Sequence, residues 1–403
     1  MRIKEAIILA GGKGTRLRSV VSDAPKPMAR IQDRPFLEIL IENFHDKGIT
    51  HFILSVGYMA DTIVEHFKEK YPNLDISFSV ENKLLGTGGA IRRAFEQVKG
   101  QFALVLNGDS LFDVQIEELN LFNADDLPII FGRHVDDVTR YGHFLYEGNK
   151  IHHYLEKQGY GPGYINGGVY VLGKDTLHSF PADQNFSIES DYFSKFSEKN
   201  SATIIFSSGY FIDIGLPESY QRAQEELKPY IKNKALFLDR DGVINVDTGY
   251  LHKPKDCIFI DGITELLKTA KDLGYLNIVV TNQAGIGRGY YSENEFQTFM
   301  NWMNTSLGNL IDDYFFCPFH PEHGVGAYKY DSWDRKPNAG MFEKAIKKHN
   351  ISSLRSVMIG DQKSDIEAAK KVNVAKLLLF DPTLKNSYKI DTISKLYEAE
   401  QFL

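Results

Sequence analysis

Cysteine is scarce in this chain of 403 residues, which carries only Cys257 and Cys317. Two cysteines cannot build a disulfide framework, and the expected setting is the reducing cytoplasm. Long apolar runs are also lacking, since none approaches the roughly 20 residues that a membrane-crossing helix requires. Met1-Arg2-Ile3-Lys4-Glu5 leads straight into an apolar strand-like run, so no signal peptide is expected. Lysine and arginine form no long cluster, and the formal net charge is -7. Neither a nucleic-acid groove nor a polybasic membrane contact is expected, whereas small anionic substrates held by a few placed cations are compatible with that balance.

What is present is an alternation of short apolar runs and helical patterns over a length that exceeds one ordinary core. Ala6-Ile7-Ile8-Leu9-Ala10, Phe52 to Val56, Ile76 to Val80, Phe102 to Leu106 and Ile129 to Phe131 read as strands, with helical patterns from Pro35 to Lys47 and from Ala60 to Lys70. A polar amphipathic stretch from Pro217 to Lys228 ends at Pro229, and a fresh strand begins at Ala235. The boundary is placed there, giving domains 1–229 and 233–403. The second domain repeats the rhythm with strands at Ala235 to Leu238, Asn277 to Val280, Ser356 to Ile359 and Lys376 to Phe380. No internal repeat or low-complexity segment is visible.

Two loops that follow buried strands have the composition of phosphate sites. In Gly11-Gly12-Lys13-Gly14-Thr15-Arg16 the glycines let backbone N–H groups face an anion, and Arg16 adds a forked cation. The spacing is not that of a Walker A loop. Lys26, held between Pro25 and Pro27, is a second cation on a stiff segment. Asp109 and Asp213 close apolar runs, and two such carboxylates suit Mg²⁺, which prefers oxygen ligands shared with phosphate. A lone strand-end aspartate would be read as a turn or cap; the combination favours the metal.

These segments, with Pro25-Lys26-Pro27-Met28, Gly86-Thr87-Gly88-Gly89-Ala90, Gly108-Asp109 and Asp213-Ile214-Gly215, resemble the sugar-1-phosphate nucleotidylyltransferases over residues 1–229. The resemblance implies a Rossmann-like mixed sheet and attack of a sugar 1-phosphate on the α-phosphorus of a nucleoside triphosphate. It implies a triphosphate site at Leu9, Gly11, Gly12, Gly14, Thr15 and Arg16, and a base-side loop at Gly86, Thr87 and Gly88. Lys26 would lie on the reacting phosphates, Asp109 and Asp213 on Mg²⁺, and Glu156, Lys157, Asn166 and Gly167 on the sugar phosphate. Leu17-Arg18-Ser19-Val20-Val21 and Pro35-Phe36-Leu37 are most similar to the D-glycero-α-D-manno-heptose 1-phosphate guanylyltransferases, which implies GTP.

The second loop is Asp239-Arg240-Asp241-Gly242. Side chains alternate with period two, so Asp239 and Asp241 present a nucleophile and a proton donor on one side. With Thr281, Lys336 and Asp361 they fit the four motifs of the haloacid dehalogenase superfamily, and the fold implied is a Rossmannoid α/β domain without a large cap. The resemblance implies attack by Asp239 on phosphorus, proton transfer by Asp241, steadying of the phosphoryl group by Lys336 and Thr281, and Mg²⁺ at Asp239, Asp361 and the Asp241 carbonyl. Asp365 is expected to orient its neighbours. Gly249-Tyr250, Thr281-Asn282-Gln283 and Cys317-Pro318-Phe319-His320-Pro321 are most similar to the D,D-heptose 1,7-bisphosphate phosphatases and to histidinol-phosphate phosphatases. Asn282, Gln283, Arg288 and Arg335 are the candidate substrate contacts, the arginines for a second phosphate, with solvated surface arginines as the competing reading.

Relatives of this kind bind zinc through Cys-x-His and Cys-x-Cys, whereas this chain has Phe319, Ser332 and Asp334 at three of those places. No zinc is expected. Together the two resemblances imply consecutive steps, removal of the C7 phosphate of a heptose 1,7-bisphosphate and then guanylyl transfer to the 1-phosphate. Competing readings keep the chemistries on other substrates, treat one domain as a degenerate binding module, or assign nucleic-acid end processing.

Overall fold

A computed structural model describes residues 1–12, 14, 16–17, 20–21, 24–139, 141–156, 159–181, 183–385 and 390–403. The chain divides into two compact units, Met1–Ile231 and Lys232–Leu403.

The first unit is built on a mixed sheet of nine strands among the described residues. Strands Asp75–Val80, His51–Val56, Glu5–Leu9 and Phe102–Asn107 lie side by side in that order and are parallel. Strand Gly163–Gly173 then pairs antiparallel with Phe102–Asn107 and with Ile129–Val135, which makes the sheet mixed. Strand Glu5–Leu9 has a parallel neighbour on each side, so the chain leaves it first one way and then the other. Such a switch opens a crevice beyond the strand carboxyl ends, where Gly11 and Asp109 fall.

Helix Phe36–Asp46 buries Phe36, Leu37, Ile39, Leu40, Ile41 and Phe44, and also Glu38 and Glu42. Those two carboxylates are tolerated inside because Arg34 lies 2.7 Å from Glu38 and 2.8 Å from Glu42. Helix Gly86–Ala94 begins inside the segment Leu84 to Gly89, which composition presents as a loop. Its glycines answer to packing: a Cβ on Gly88 would lie 2.1 Å from the Phe186 ring. Phe186 is itself stacked on Phe180 at 4.0 Å.

The second unit has six parallel strands in the order Asp313–Cys317, Tyr275–Asn282, Lys234–Leu238, Val357–Gly360, Lys376–Phe380, Asp391–Ile393. Both faces are covered, as a parallel sheet requires. Leu236 and Leu238 enter one core with Leu266, Phe296 and Met300, whereas Ala235 and Phe237 enter the other with Met341, Phe342 and Ala368. Period-two alternation thus supplies two apolar faces from one apolar run. Helix Ile263–Asp272 buries Ile263, Leu266, Leu267 and Ala270, one stripe of a 3.6-residue repeat. Ser292 and Glu295 form a capping box on helix Glu293–Ser306, worth about 1 kcal/mol. Among the described residues this unit has no further sheet that would build a large cap. Among the described residues no helix is long and apolar enough to cross a membrane.

Candidate active sites

In the first unit a two-stranded ribbon brings the expected carboxylates together. Strand Phe211–Asp213 pairs antiparallel with Ser110–Phe112, setting Asp213 opposite Ser110, and the Ile214 N–H donates to the Asp109 carbonyl at 3.0 Å. Lys26 Nζ lies 2.5 Å from Asp109 Oδ2 and 3.4 Å from Asp213 Oδ1. Asp109 reaches this place because Gly108 ends its strand tightly against the first one. The Gly108 N–H donates to Leu9 O at 3.0 Å, and a Cβ there would stand 2.4 Å from that oxygen. Gly14, in the left-handed region at φ 56°, passes over the lysine, with room of only 2.8 Å between a Cβ and Lys26 Cβ. Gly11, Gly12 and exposed Arg16 lie on the same loop. Thr15, Lys13 and Lys157 lie outside the described residues.

Several other candidate positions also make contacts within the protein. The Gly88 N–H donates to Phe186 O at 3.0 Å and Gly88 is buried; Thr87 Oγ1 accepts from the Ile188 N–H at 2.9 Å. Gly86 is exposed. Asn166 Nδ2 donates to Glu189 Oε1 at 3.0 Å where the register with Ile129–Val135 shifts, and Gly167 packs on the Phe112 ring. Glu156 is exposed.

Glu81, to which no role was assigned from the sequence, sits between the glycine loop and the Gly86 helix. A Cβ on Gly11 would stand 3.0 Å from its Oε1, Ser55 Oγ donates to that oxygen at 3.2 Å, and the Leu85 N–H donates to Oε2 at 3.2 Å. Burial raises its pKa. The available signal was a charged residue directly after the apolar strand Asp75–Val80.

The second unit gathers its groups at the carboxyl ends of three adjacent strands. Asp239 follows Lys234–Leu238, Thr281 and Asn282 end Tyr275–Asn282, and Asp361 follows Val357–Gly360. Ligand oxygens of Asp239, Asp361 and Asp365 all lie within 4.8 Å of one another. Lys336, 3% exposed, places Nζ 2.9 Å from Asp239 Oδ1, 2.6 Å from Asp365 Oδ1 and 2.8 Å from Val280 O. Burial alone would lower the lysine pKa, but Asp239 and Asp365 outweigh it and hold the ammonium charged. One lysine does not balance three carboxylates. Burial, with Asp365 and Asp361 beside it, pushes Asp239 up to about 8 despite Lys336, and burial pushes Asp361 up to about 6.

A divalent cation fits this set. Asp361 Oδ1 is buried without a hydrogen-bond partner, and the oxygens are the hard donors that Mg²⁺ prefers. Gly242, at φ 86°, lets the loop close on the group, since a Cβ there would stand 2.4 Å from Asp361 Oδ2. Asp365 also accepts from the Gln362 N–H at 3.0 Å at the start of helix Lys363–Lys371, so it positions both a helix and the lysine.

The Asp241 carboxylate is outside that group. It accepts from Arg240, from Asn245 Nδ2 at 3.0 Å and from Gln283 Nε2 at 3.2 Å. Any metal contact from Asp241 therefore falls to its backbone carbonyl. Gln283 is buried, donates also to Thr281 Oγ1 at 2.9 Å and accepts from Tyr291 at 2.7 Å. Asn282 clamps the Lys336 backbone, its Oδ1 accepting from the N–H at 3.1 Å and its Nδ2 donating to the carbonyl at 3.1 Å. Both residues hold other groups in place. Arg288 stands over the Tyr250 ring at 5.5 Å with a buried Nε that has no partner. Arg335 donates to Phe319 O at 3.2 Å; burial lowers its pKa, and Arg288 nearby adds to that. Burial and then Arg335, His323 and Arg288 lower His320 as well.

Around Cys317 the positions that differ from zinc ligands are hydrogen-bonded and packed. Ser332 Oγ accepts from the Asp334 N–H at 3.2 Å, Asp334 pairs with Lys344 at 2.5 Å, and Phe319 packs on Tyr328 at 5.8 Å.

Fold and sites define two phosphate-transfer enzymes in one polypeptide. The chain belongs to the nucleotidyl transferase family, whose model matches residues 5–229, and its C-terminal unit to the HAD-like hydrolases, whose model matches residues 334–380. It is 39% identical over 231 residues to the D-glycero-alpha-D-manno-heptose 1-phosphate guanylyltransferase of Aneurinibacillus thermoaerophilus, covering 56% of this chain and all of that relative. It is 52% identical over 152 residues to the D-glycero-alpha-D-manno-heptose-1,7-bisphosphate 7-phosphatase of Burkholderia mallei, covering 37% of this chain and 80% of that relative. The crystal structure of HddC from Yersinia pseudotuberculosis complexed with GMP-PN is similar at a TM-score of 0.51 with 38% identity, covering 56% of this chain and 100% of that one.

Proposed function

We propose that the C-terminal unit removes the C7 phosphate of D-glycero-α-D-manno-heptose 1,7-bisphosphate, and that the N-terminal unit transfers GMP from GTP to the resulting heptose 1-phosphate, giving GDP-heptose and pyrophosphate. The observation that carries this is the coexistence of two carboxylate groups, each tied to one lysine: Asp109 and Asp213 on Lys26, and Asp239 and Asp365 on Lys336. One step makes the sugar 1-phosphate that the other consumes. The guanylyltransferase of Aneurinibacillus thermoaerophilus and the phosphatase of Burkholderia mallei both carry the α configuration in their names, which consecutive steps on one sugar require, although other phosphatase relatives at 44% to 47% identity are named for the β anomer.

In the C-terminal unit Asp239 attacks phosphorus while Asp241 gives a proton to the departing alkoxide; Asp241 then takes a proton from the water that hydrolyses the aspartyl phosphate. Lys336 and Thr281 steady the phosphoryl group, and Arg288 and Arg335 bind the second phosphate. In the N-terminal unit the backbone of Gly11, Gly12 and Gly14 with Thr15 and Arg16 binds the triphosphate. Lys26 moves from the carboxylates to the reacting phosphates, and the sugar phosphate is assigned to Glu156, Lys157, Asn166 and Gly167. Both reactions bring anions together, so charge neutralisation and placement supply most of the rate. Mg²⁺ would supply part of that neutralisation, held by Asp109 and Asp213 in one unit and by Asp239, Asp361 and the Asp241 carbonyl in the other.

Glu81 supports guanine. A carboxylate accepts two adjacent N–H donors, which guanine offers at N1 and its 2-amino group, whereas adenine and cytosine present a ring-nitrogen acceptor and uracil flanks its N–H with carbonyls. The test is an assay with Mg²⁺, the bisphosphate and each nucleoside triphosphate, following phosphate and pyrophosphate separately. Phosphate release without any triphosphate, and pyrophosphate formation with GTP above the others, are expected; absence of either activity contradicts the reading.

A further inference from the structure

We propose that Arg240 is a positioning residue for the phosphohydrolase step, holding the Asp241 carboxyl where it exchanges protons with the leaving group and with water. The inference rests on the phosphatase reading above. Arg240 is fully buried, and its guanidinium lies 5.5 Å from the Phe296 ring centroid and 5.3 Å from that of Phe299. Nε and Nη2 donate to Asp241 Oδ1 at 3.0 and 2.6 Å, Nη2 also reaches Oδ2 at 2.5 Å, and Leu251 O accepts from Nη2 at 3.0 Å. Its Nη1 is buried with no partner.

A core position between two phenylalanines is served best by an apolar side chain. A guanidinium there loses its hydration and leaves one nitrogen unsatisfied, so as packing it is a poor choice. Among the described residues, the only side chain to which its fork donates is the Asp241 carboxylate.

That engagement has a chemical use. Asp239, Asp361 and Asp365 bring ligand oxygens within 4.8 Å of one another, and Asp241 follows Asp239 by only two residues in the chain without joining them. A carboxylate that did so would be lost as a proton carrier. The Arg240 fork instead engages both Asp241 oxygens, with Asn245 also on Oδ1 and Gln283 on Oδ2. In the first half-reaction the bond from phosphorus to the alkoxide oxygen breaks as the bond to Asp239 forms; the electron pair stays on the alkoxide, which takes the Asp241 proton. In the second, water oxygen bonds to phosphorus, its proton passes to Asp241, and the Asp239 carboxylate leaves. Asp241 must occupy one defined place in both.

The test compares esters that differ in their need for a proton. Arg240→Met and Arg240→Lys are assayed with the sugar bisphosphate, whose alkoxide is a poor leaving group, and with 4-nitrophenyl phosphate, whose phenolate leaves without help. The quantity is kcat/KM, which reports events through formation of the phosphoenzyme. A fall of about 10²-fold for the sugar ester with less than about threefold for the aryl ester is expected. Equal falls, or no fall, overturn the inference. Should the methionine form not fold, Arg240→Lys measured with and without Asp241→Asn decides: the lysine adds no further loss once Asp241 is gone, and an additive loss overturns the inference. Wild-type protein that hydrolyses neither ester would instead end the phosphatase reading itself.

Discussion

Lys26 Nζ lies 2.5 Å from Asp109 Oδ2, joining the proline-flanked segment to the end of the strand beside it. This one contact brings together the cation and the carboxylate to which the proposed function assigns substrate phosphates and a metal. Asp109→Asn keeps the shape and removes the charge. It should lower pyrophosphate formation from supplied heptose 1-phosphate and GTP by at least about 10²-fold while phosphate release from the bisphosphate continues. Joint loss of both activities in a folded variant would argue against independent sites.

The converse substitution is Asp239→Asn. Phosphate release should fall by at least roughly 10³-fold because the proposed nucleophile is gone, with guanylyl transfer unchanged. Release of phosphate at the wild-type rate would remove Asp239 from its role.

Lys336 is enclosed by Asp239 and Asp365, and breaking a buried pair leaves uncompensated charge. Lys336→Met should destabilise the C-terminal unit by about 3 to 5 kcal/mol, seen as an earlier unfolding transition in urea. A midpoint equal to that of the wild type would show that the lysine is not needed to balance the carboxylates.

The two nucleotide-side and phosphatase-side clusters were legible to different degrees. Apolar runs such as Ala235 to Leu238 announce buried parallel strands, and an aspartate after each of two neighbouring strands converges because the strands themselves do. Long-range packing was not legible. Three glycines in Gly86 to Gly89 read as a loop, yet Phe186 against Gly86 and Gly88 and Gln184 against Gly89, both distant in sequence, require them at the start of a helix. Asn282 and Gln283 read as substrate contacts through the resemblance of their loop, but that they also hold Lys336 and Asp241, which other loops supply, was not legible. Arg240 carried no signal, since an arginine beside an aspartate ordinarily marks a solvated turn. Strand Gly163–Gly173, which converts a parallel sheet into a mixed one, is interrupted by Gly167 and Gly168 and does not read as one strand.

Glu81→Gln tests base choice. An amide keeps the size but replaces one acceptor by a donor, so preference for GTP over UTP in kcat/KM should fall by roughly 10-fold or more. Equal loss with every triphosphate would assign Glu81 to loop structure only.

Acid stability of the N-terminal unit should depend on Glu38. Burial alone would raise its pKa, but hydrogen bonds from His66 at 2.6 Å and Arg34 at 2.7 Å win and hold it at about 2. A carboxyl lowered in the folded state favours folding above its unfolded pKa, and that contribution disappears as pH falls from about 4.5 toward 2. The amount is on the order of 3 kcal/mol. Glu38→Gln should flatten the decline in unfolding free energy between pH 5 and about 3; an unchanged slope would contradict the linkage.

The central claim is that two independent sites share this polypeptide, and complementation tests it most directly. Asp109→Asn and Asp239→Asn proteins, each unable alone to turn heptose 1,7-bisphosphate and GTP into GDP-heptose, are mixed in equal amounts with Mg²⁺. GDP-heptose should form from the mixture, with phosphate release preceding pyrophosphate. Formation of no GDP-heptose by the mixture, while wild-type protein makes it under the same conditions, would contradict the account.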